Sequence, residues 1–184
     1  MTRRTAQLGL FLALALILAY VETLIPLSFG IPGIKLGLPN LVVVLLLYGG
    51  DSGPVETRHT GTGGNNVRDA LTVNILRILL SGFLFSNLYA ILYSLAGAAL
   101  SFTAMLTGRR MRCFSVVGVS VLGGVFHNIG QIIVAMFVVE TVYVAYYMPV
   151  LIAVGTLTGA VLGVAAMELM PYLARFMHQE RHIS

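Results

Sequence analysis

Long apolar stretches separated by short polar segments run along almost the whole chain. A helix rises about 1.5 Å per residue and the hydrocarbon core of a bilayer is about 30 Å thick, so a span needs about 20 apolar residues. The second of the stretches is short and would reach only about 20 Å as a helix. The pattern predicts an all-α, polytopic membrane protein with six transmembrane helices. They cover residues 8–27, 36–48, 70–85, 88–106, 114–139 and 149–173.

The composition agrees with this class. Apolar residues make up 58% of the 184 residues and charged residues 10%, which is outside the usual range of soluble domains. The single cysteine excludes a disulfide within the chain. A formal charge of +4 would suggest a nucleic-acid partner in a soluble protein. Here the basic residues lie beside apolar stretches, where they orient a membrane protein, and we predict no nucleic-acid partner.

The positions of the basic residues predict the orientation of the six spans. If both termini are cytoplasmic, nine arginines lie on the cytoplasmic side, Lys35 lies outside and Arg77 lies within the bilayer. An excess of Lys and Arg in cytoplasmic loops is the general rule. If residues 36–48 did not cross, Arg109 and Arg110 would lie opposite Arg3 and Arg4, so we count six crossings. The nine cytoplasmic arginines are Arg3, Arg4, Arg58, Arg68, Arg109, Arg110, Arg112, Arg175 and Arg181.

Two segments call for a separate interpretation. Residues 51–69 are rich in Gly, Thr and Asn and have no apolar period, which predicts a flexible cytoplasmic loop within a single domain of residues 1–184. The first apolar stretch could be a cleaved signal peptide, because Arg3 and Arg4 precede an Ala-Leu-Ala tripeptide at residues 13–15. The stretch continues beyond that tripeptide, which favours a retained helix.

A few polar residues interrupt the apolar stretches, and a charge at mid-bilayer costs about 2.5 to 3.5 kcal/mol. Asn74 and Arg77 are three residues apart on one face of the third helix, and the fifth contains the sequence HNIGQ. We predict a polar pocket that opens outward and binds an anionic or carbonyl-bearing small molecule. Its candidate ligand-binding residues are Arg77, Asn74, His127, Asn128, Gln131, Lys35, Asn40, Glu140, Tyr146 and Tyr147.

A structural role is the alternative for these residues. Arg77 could pair with Glu22, the HNIGQ side chains could bond between helices, and the tyrosines could form an interfacial belt. Small residues also recur every four positions, which lets helix backbones approach closely. For Gly97 with Ser101, and for Gly155, Gly159 and Gly163, we expect packing within the bundle. For Ala15 and Ala19, docking onto another membrane protein is an equal alternative.

The motifs of common catalytic sites are missing from the sequence. It contains no GxxxxGK[ST], no CxxC, no HExxH and no GxSxG. We therefore predict that the chain is not an enzyme and has no cofactor and no metal. A membrane-embedded enzyme would need turnover by the purified chain alone.

Five segments carry a resemblance to a known family. They are the AxxxA of Ala15 and Ala19, PGIKLGLPN before the second helix, NILRILLSG around Arg77, LYSLAGA in the fourth helix and VSVLGGVFHNIGQ in the fifth. Together they resemble the bacterial Gx transporter family, also labelled heptaprenyl diphosphate synthase component I. That family is similar to the substrate-binding S components of energy-coupling factor importers.

This resemblance implies a ligand site near the outer face of a bacterial inner-membrane protein. It also implies that the first helix docks, through Ala15 and Ala19, onto a transmembrane coupling subunit driven by ATPases. The leading hypothesis is a substrate-capture subunit for a vitamin-like or isoprenoid- or quinone-related molecule. The alternative is a scaffold subunit of a prenyl-diphosphate synthase or electron-transfer assembly. Synthase activity itself would need aspartate-rich magnesium motifs, and the only aspartates are Asp51 and Asp69.

Overall fold

A computed structural model describes residues 3–24, 35–49, 64–111 and 113–179. All regular structure in these ranges is helical, which confirms the all-α prediction. A 3₁₀ helix, Val142–Tyr147, leads directly into the last α-helix. The α-helices are α1 (Arg3–Leu24), α2 (Asn40–Gly49), α3 (Gly64–Phe85), α4 (Leu88–Arg110), α5 (Val116–Val138) and α6 (Met148–Gln179).

Local sequence explains several helix ends. The side chain of Asn87 accepts a hydrogen bond from the backbone N–H of Ala90 and caps α4, and Ser115 caps α5 through the N–H of Gly118. Helix α3 begins at Gly64 and not at Ala70, so the last six positions of the predicted loop, 64–69, are helical. The rest of that predicted loop, 51–63, lies outside the described residues.

Helix α5 lies at the centre of the bundle and packs along most of its length against α4 and α6. Glycines permit this close approach. A Cβ atom at Gly155 would lie 2.8 Å from the carbonyl oxygen of Gly124, and one at Gly159 would lie 2.6 Å from the Cα of Val121. The regular glycine spacing of α6 therefore reflects packing against α5, as the sequence predicted.

Helix α1 lies at the edge of the bundle and packs mainly against α3. An ion pair of 2.6 Å between Arg4 Nη2 and Asp69 Oδ1 joins the beginnings of these two helices. The face of α1 that carries Ala15 and Ala19 is turned inward, and these residues are 1% and 2% exposed. A partner could reach them only if α1 left the bundle, so the structure does not favour their predicted role in docking.

Helix α2 differs from the others in length and surroundings. It has 10 residues and is therefore about 15 Å long, half the thickness of the hydrocarbon core. Every side chain from Asn40 to Tyr48 is buried. The predicted helix at 36–48 is wrong at its start, because residues 35–39 precede α2 in a non-helical conformation that ends in a turn. At the other end of α2, the guanidinium of Arg109 lies 5.0 Å from the ring centre of Tyr48, in cation–π geometry.

Four helical segments among the described residues are long and apolar enough to cross a membrane: Arg4–Leu24, Leu88–Arg110, Val116–Val138 and Val142–Leu173. Helix α3 has 22 residues but carries Arg68, Asp69 and Arg77, and α2 is too short. The apolar length of the four segments supports the predicted class, a membrane protein with transmembrane helices.

Candidate functional site

Polar side chains from four helices meet in the interior of the bundle, and we call them the buried polar cluster. None of its members is more than 6% exposed. Since buried polar groups are normally hydrogen-bonded, the partners of each side chain show how complete the cluster is. The cluster consists of Glu22 from α1, Asn40 at the start of α2, Asn74 and Arg77 from α3, and His127 and Gln131 from α5.

Arg77 is the buried cation of the cluster, with 3% of its surface exposed. Its Nε donates a hydrogen bond of 3.0 Å to Asn74 Oδ1, so the two residues contact each other as their three-residue spacing predicts. Among the described residues, its Nη2 has no hydrogen-bond partner. Glu22 is close enough to attract Arg77, but the two do not form a contact ion pair. The guanidinium therefore keeps a buried donor that the described residues do not satisfy.

Glu22 anchors the non-helical segment that precedes α2. Its Oε1 accepts hydrogen bonds from the backbone N–H groups of Gly37 and Leu38, the latter at 3.3 Å. The carboxylate therefore lies near the beginning of α2, where the helix dipole favours negative charge. Gly37 has a φ of 82°, which favours glycine, and a Cβ there would lie 3.0 Å from Asn40 Nδ2 and 3.2 Å from His127 Cδ2. The left-handed backbone of Gly37 and the hydrogen bonds to Glu22 therefore both fix the path of this segment.

A second hydrogen bond fastens the same segment to α5. The backbone N–H of Lys35 donates to Gln131 Oε1 at 3.2 Å. The Lys35 side chain is partly buried, and burial lowers the pKa of its ammonium group, while Glu22 acts in the opposite direction. Residues 35–39 thus cover the cluster and bring a second cation to it.

His127 and Asn128 face different neighbours of α5. A Cβ at Gly97 would lie 2.8 Å from His127 Nδ1, so the imidazole packs directly against the backbone of α4. Asn128 is turned towards α6, where its Nδ2 donates a hydrogen bond of 2.7 Å to the carbonyl oxygen of Leu151. Asn128 therefore links two helices at the border of the cluster, and its Oδ1 has no partner in the described part of the chain.

Several buried side-chain atoms of this region lack a hydrogen-bond partner. Each such group costs about 1–3 kcal/mol when nothing satisfies it, and native proteins contain few of them. Their concentration at one place shows that the described residues, which do not include 25–34, leave hydrogen-bonding groups open there. The atoms with no partner among the described residues include Arg77 Nη2, Asn40 Nδ2 and Oδ1, His127 Nδ1, Gln131 Nε2 and Asn128 Oδ1.

Three of the predicted ligand-binding residues do not lie in the buried interior. Glu140, Tyr146 and Tyr147 are exposed, and Tyr146 is 80% exposed. Glu140 has a φ of 53° just after α5, and the N–H of Thr141 donates to the carbonyl of Met136 at 3.2 Å. This is a Schellman motif, which ends a helix. The backbone of Glu140 therefore ends α5, and the exposed tyrosines have the placement expected of an interfacial belt.

Sequence reasoning missed a cavity at the opposite end of α2. It measures about 100 Å³ and lies between the apolar side chains of α1, α2 and α6, next to the Arg4–Asp69 ion pair. No signal in the sequence indicated it, because its walls come from four helices. Its lining residues are Arg4, Gln7, Leu8, Phe11, Leu45, Leu46, Gly49, Asn66, Asp69 and Leu173. Across the described residues, no three His, Cys, Asp or Glu side chains come together as a metal site would require.

Apolar helices of spanning length around a polar interior define the class of this protein, a helical membrane protein with a buried polar cluster. The chain belongs to the heptaprenyl diphosphate synthase component I family, whose family model matches residues 63–169, more than half of the chain. This confirms the family that the sequence segments indicated. The matched region contains Arg77 and Gln131 but not Glu22 or Asn40. Neither the curated proteins nor the solved structures give a match.

Proposed function

We propose that this protein is the substrate-capture subunit of a small-molecule importer and that its ligand binds at the buried polar cluster. The observation that carries the proposal is the buried Nη2 of Arg77, which has no partner among the described residues, in a cluster where the Asn40 amide and Gln131 Nε2 also have none. Ionisable residues within a membrane protein usually mark a substrate or ion path. A ligand that accepts hydrogen bonds from these groups would complete the cluster.

The charges around the cluster favour an anionic or carbonyl-bearing ligand. Arg77 and Lys35 carry two positive charges, and Glu22 supplies one negative charge that is already bonded to two backbone N–H groups. The beginning of α2 adds the positive end of a helix dipole. Charge-assisted hydrogen bonds from a guanidinium to an oxygen acceptor are stronger than bonds between neutral groups. The remaining positive field would attract such an acceptor.

We propose six crossings with both termini in the cytoplasm; contacts between helix ends support the relative sides of the helices, and the arginine distribution supports the cytoplasmic side. The Arg4–Asp69 ion pair brings the beginnings of α1 and α3 to the same side, which supports a return crossing between Leu24 and Gly64. The Arg109–Tyr48 contact brings the ends of α4 and α2 together. In our proposal α2 forms the cytoplasmic half of the second crossing, and non-helical backbone at membrane depth is tolerated where protein surrounds it.

Access to the cluster would require residues 35–39 to move. This segment covers the cluster and is fastened by Glu22 on one side and Gln131 on the other. Our proposal assigns it the role of a lid that opens to the outside, and a transmembrane coupling subunit with ATPases would drive release of the ligand. These energising partners rest on analogy with energy-coupling factor importers, not on a contact in the structure.

Native mass spectrometry of protein extracted gently from its own membrane tests the proposal. We expect a fraction of the wild-type protein to carry a small molecule, and we expect Arg77→Ala to lose it while remaining inserted and monodisperse. The matched control is Arg110→Ala, which removes an exposed arginine at the end of α4. Equal retention of the small molecule by wild type and Arg77→Ala would refute the assignment of the site.

The description of the family as a synthase component favours a second candidate, a scaffold that anchors a prenyl-diphosphate synthase or an electron-transfer assembly. The proposal assigns no catalysis to this chain, and turnover by the purified chain would contradict it. Co-purification separates the two candidates. An importer subunit should bring down a membrane coupling subunit and ATPases, whereas a scaffold should bring down synthase or redox partners.

A further inference from the structure

The free hydrogen-bonding atoms at the buried polar cluster include acceptors as well as donors. We infer that the ligand carries N–H or O–H donors beside a carbonyl or anionic acceptor, as amides and cyclic ureas do, and that it is not a prenyl diphosphate or a quinone. This inference rests on the proposed function, because it describes the ligand of the same site. It distinguishes between the ligand classes that the sequence left open, a vitamin-like molecule and an isoprenoid- or quinone-related one.

The protein contacts fix which atom of each amide is free. Gln131 uses Oε1 to accept from the N–H of Lys35, so its free atom is Nε2, a donor. Asn128 uses Nδ2 to donate to the carbonyl of Leu151, so its free atom is Oδ1, an acceptor. An exchange of oxygen and nitrogen in either amide would oppose two donors or two acceptors. These two orientations follow from the hydrogen bonds.

Asn40 adds both atoms of its side-chain amide to the free hydrogen-bonding groups of the cluster. Both atoms of its amide are free and the residue is 4% exposed, so it presents one donor and one acceptor in either orientation. Arg77 Nη2 can only donate. Among the described residues, the free set therefore has three donors, on Arg77, Asn40 and Gln131, and two acceptors, on Asn40 and, at the border of the cluster, on Asn128. It also includes Nδ1 of His127, which donates or accepts according to the tautomer of the imidazole.

A molecule with acceptors alone would leave the free acceptors of the site unpaired. The oxygens of a prenyl diphosphate or a quinone can accept from Arg77 and Gln131, but neither molecule offers an N–H to the oxygen of Asn40. An unpaired buried acceptor is costly, and sites built to hydrogen-bond an N–H or O–H discriminate strongly against analogues that lack it. The ligand class thus follows from the pairing of donors with acceptors.

A matched pair of small probes tests this inference. 2-Imidazolidinone has a carbonyl and two N–H groups, and 1,3-dimethyl-2-imidazolidinone keeps the carbonyl but has no N–H. Sodium pyrophosphate serves as an anion with acceptors only. Binding of each to the purified full chain in detergent is measured by ligand-observed NMR titration. We expect 2-imidazolidinone to bind at least about tenfold more tightly than its dimethyl analogue, as for the loss of one buried hydrogen bond.

Two variants test whether the preference for 2-imidazolidinone over its dimethyl analogue arises at the cluster. Asn40→Leu should remove the difference between the two imidazolidinones, and Asn66→Leu, which changes an asparagine in the cavity at the other end of α2, should leave it unchanged. Wild-type binding of the dimethyl analogue or of pyrophosphate as tight as that of 2-imidazolidinone would overturn the inference. Absence of 2-imidazolidinone binding up to its solubility limit would also overturn it.

The outcomes also separate this inference from the proposed function. If pyrophosphate binds and Arg77→Ala abolishes that binding, the cluster is a ligand site but the proposed ligand class is wrong. If none of the three probes binds in a way that depends on Arg77, and the extracted protein carries no small molecule that depends on Arg77, the proposed function is wrong as well.

Discussion

Replacing Glu22 should destabilise the bundle by an amount that depends on which part of the carboxylate is removed. In Glu22→Ala, the N–H groups of Gly37 and Leu38 both lose their acceptor in a buried place. A buried donor without a partner costs about 1–3 kcal/mol, so the variant should lose about 2–6 kcal/mol of stability. The variant also removes the negative charge that faces Arg77 and Lys35.

Glu22→Gln separates the hydrogen bonds from the charge. The amide keeps an acceptor oxygen for the two N–H groups, and a bond to a neutral acceptor is weaker than one to a charged acceptor by about 1 kcal/mol. We therefore expect a loss of about 2 kcal/mol, smaller than that of Glu22→Ala. Equilibrium unfolding in mixed micelles with increasing SDS, followed by far-UV circular dichroism, measures both values.

An exposed glutamate provides the control for the Glu22 variants. Glu168→Ala changes an exposed glutamate of α6 and should leave the unfolding midpoint close to that of the wild type. A loss of less than about 1 kcal/mol in Glu22→Ala would refute the reasoning, because it would mean that the two N–H groups find another acceptor. Equal losses in the alanine and glutamine variants would show that charge alone, and not the anchoring of residues 35–39, determines the effect.

Two further predictions concern packing and sidedness. Gly155→Ala places a Cβ 2.8 Å from the carbonyl oxygen of Gly124 and should cost about 1–3 kcal/mol of stability in the same unfolding assay. The control Gly9→Ala, with no atom within 4 Å of its Cβ, should cost nothing. A Gly155→Ala protein as stable as the wild type would contradict the close contact of α5 with α6. The single cysteine, Cys113, is exposed between α4 and α5. A membrane-impermeant maleimide should label it in inverted vesicles but not in intact cells, and labelling from outside would refute the proposed topology.

The sequence was sufficient to predict most helices because each is a long apolar stretch with polar ends. Helices α4, α5 and α6 lie where the stretches predict them, with ends shifted by a few residues, and α6 continues to Gln179 beyond its predicted end at 173. The contact of Arg77 with Asn74 was also predictable, since residues three apart on a helix lie on one face. These features depend only on residues that are close together in the sequence.

Features that depend on distant neighbours were not predictable. Gly37 and Pro39 are local signals against a helix at residues 36–39, but nothing local shows that Glu22 and Gln131 fasten this backbone before α2. The spacing of Ala15 and Ala19 is the same for a contact within the bundle and for a contact with a partner. Polar residues such as Tyr146 could be assigned to a buried site or to the surface only when the fold was known.

The burial of α2 on all sides has a consequence for biogenesis. A segment of about 15 Å with no lipid-facing side chains cannot be retained by the bilayer alone, since hydrocarbon of twice that thickness would leave its ends unsatisfied. In the proposed topology, its insertion would therefore await the helices that pack against it, α1, α3, α5 and α6, although it is synthesised before most of them. During translation, this part of the chain would then remain at the membrane surface or in the translocation machinery until its last neighbour has emerged.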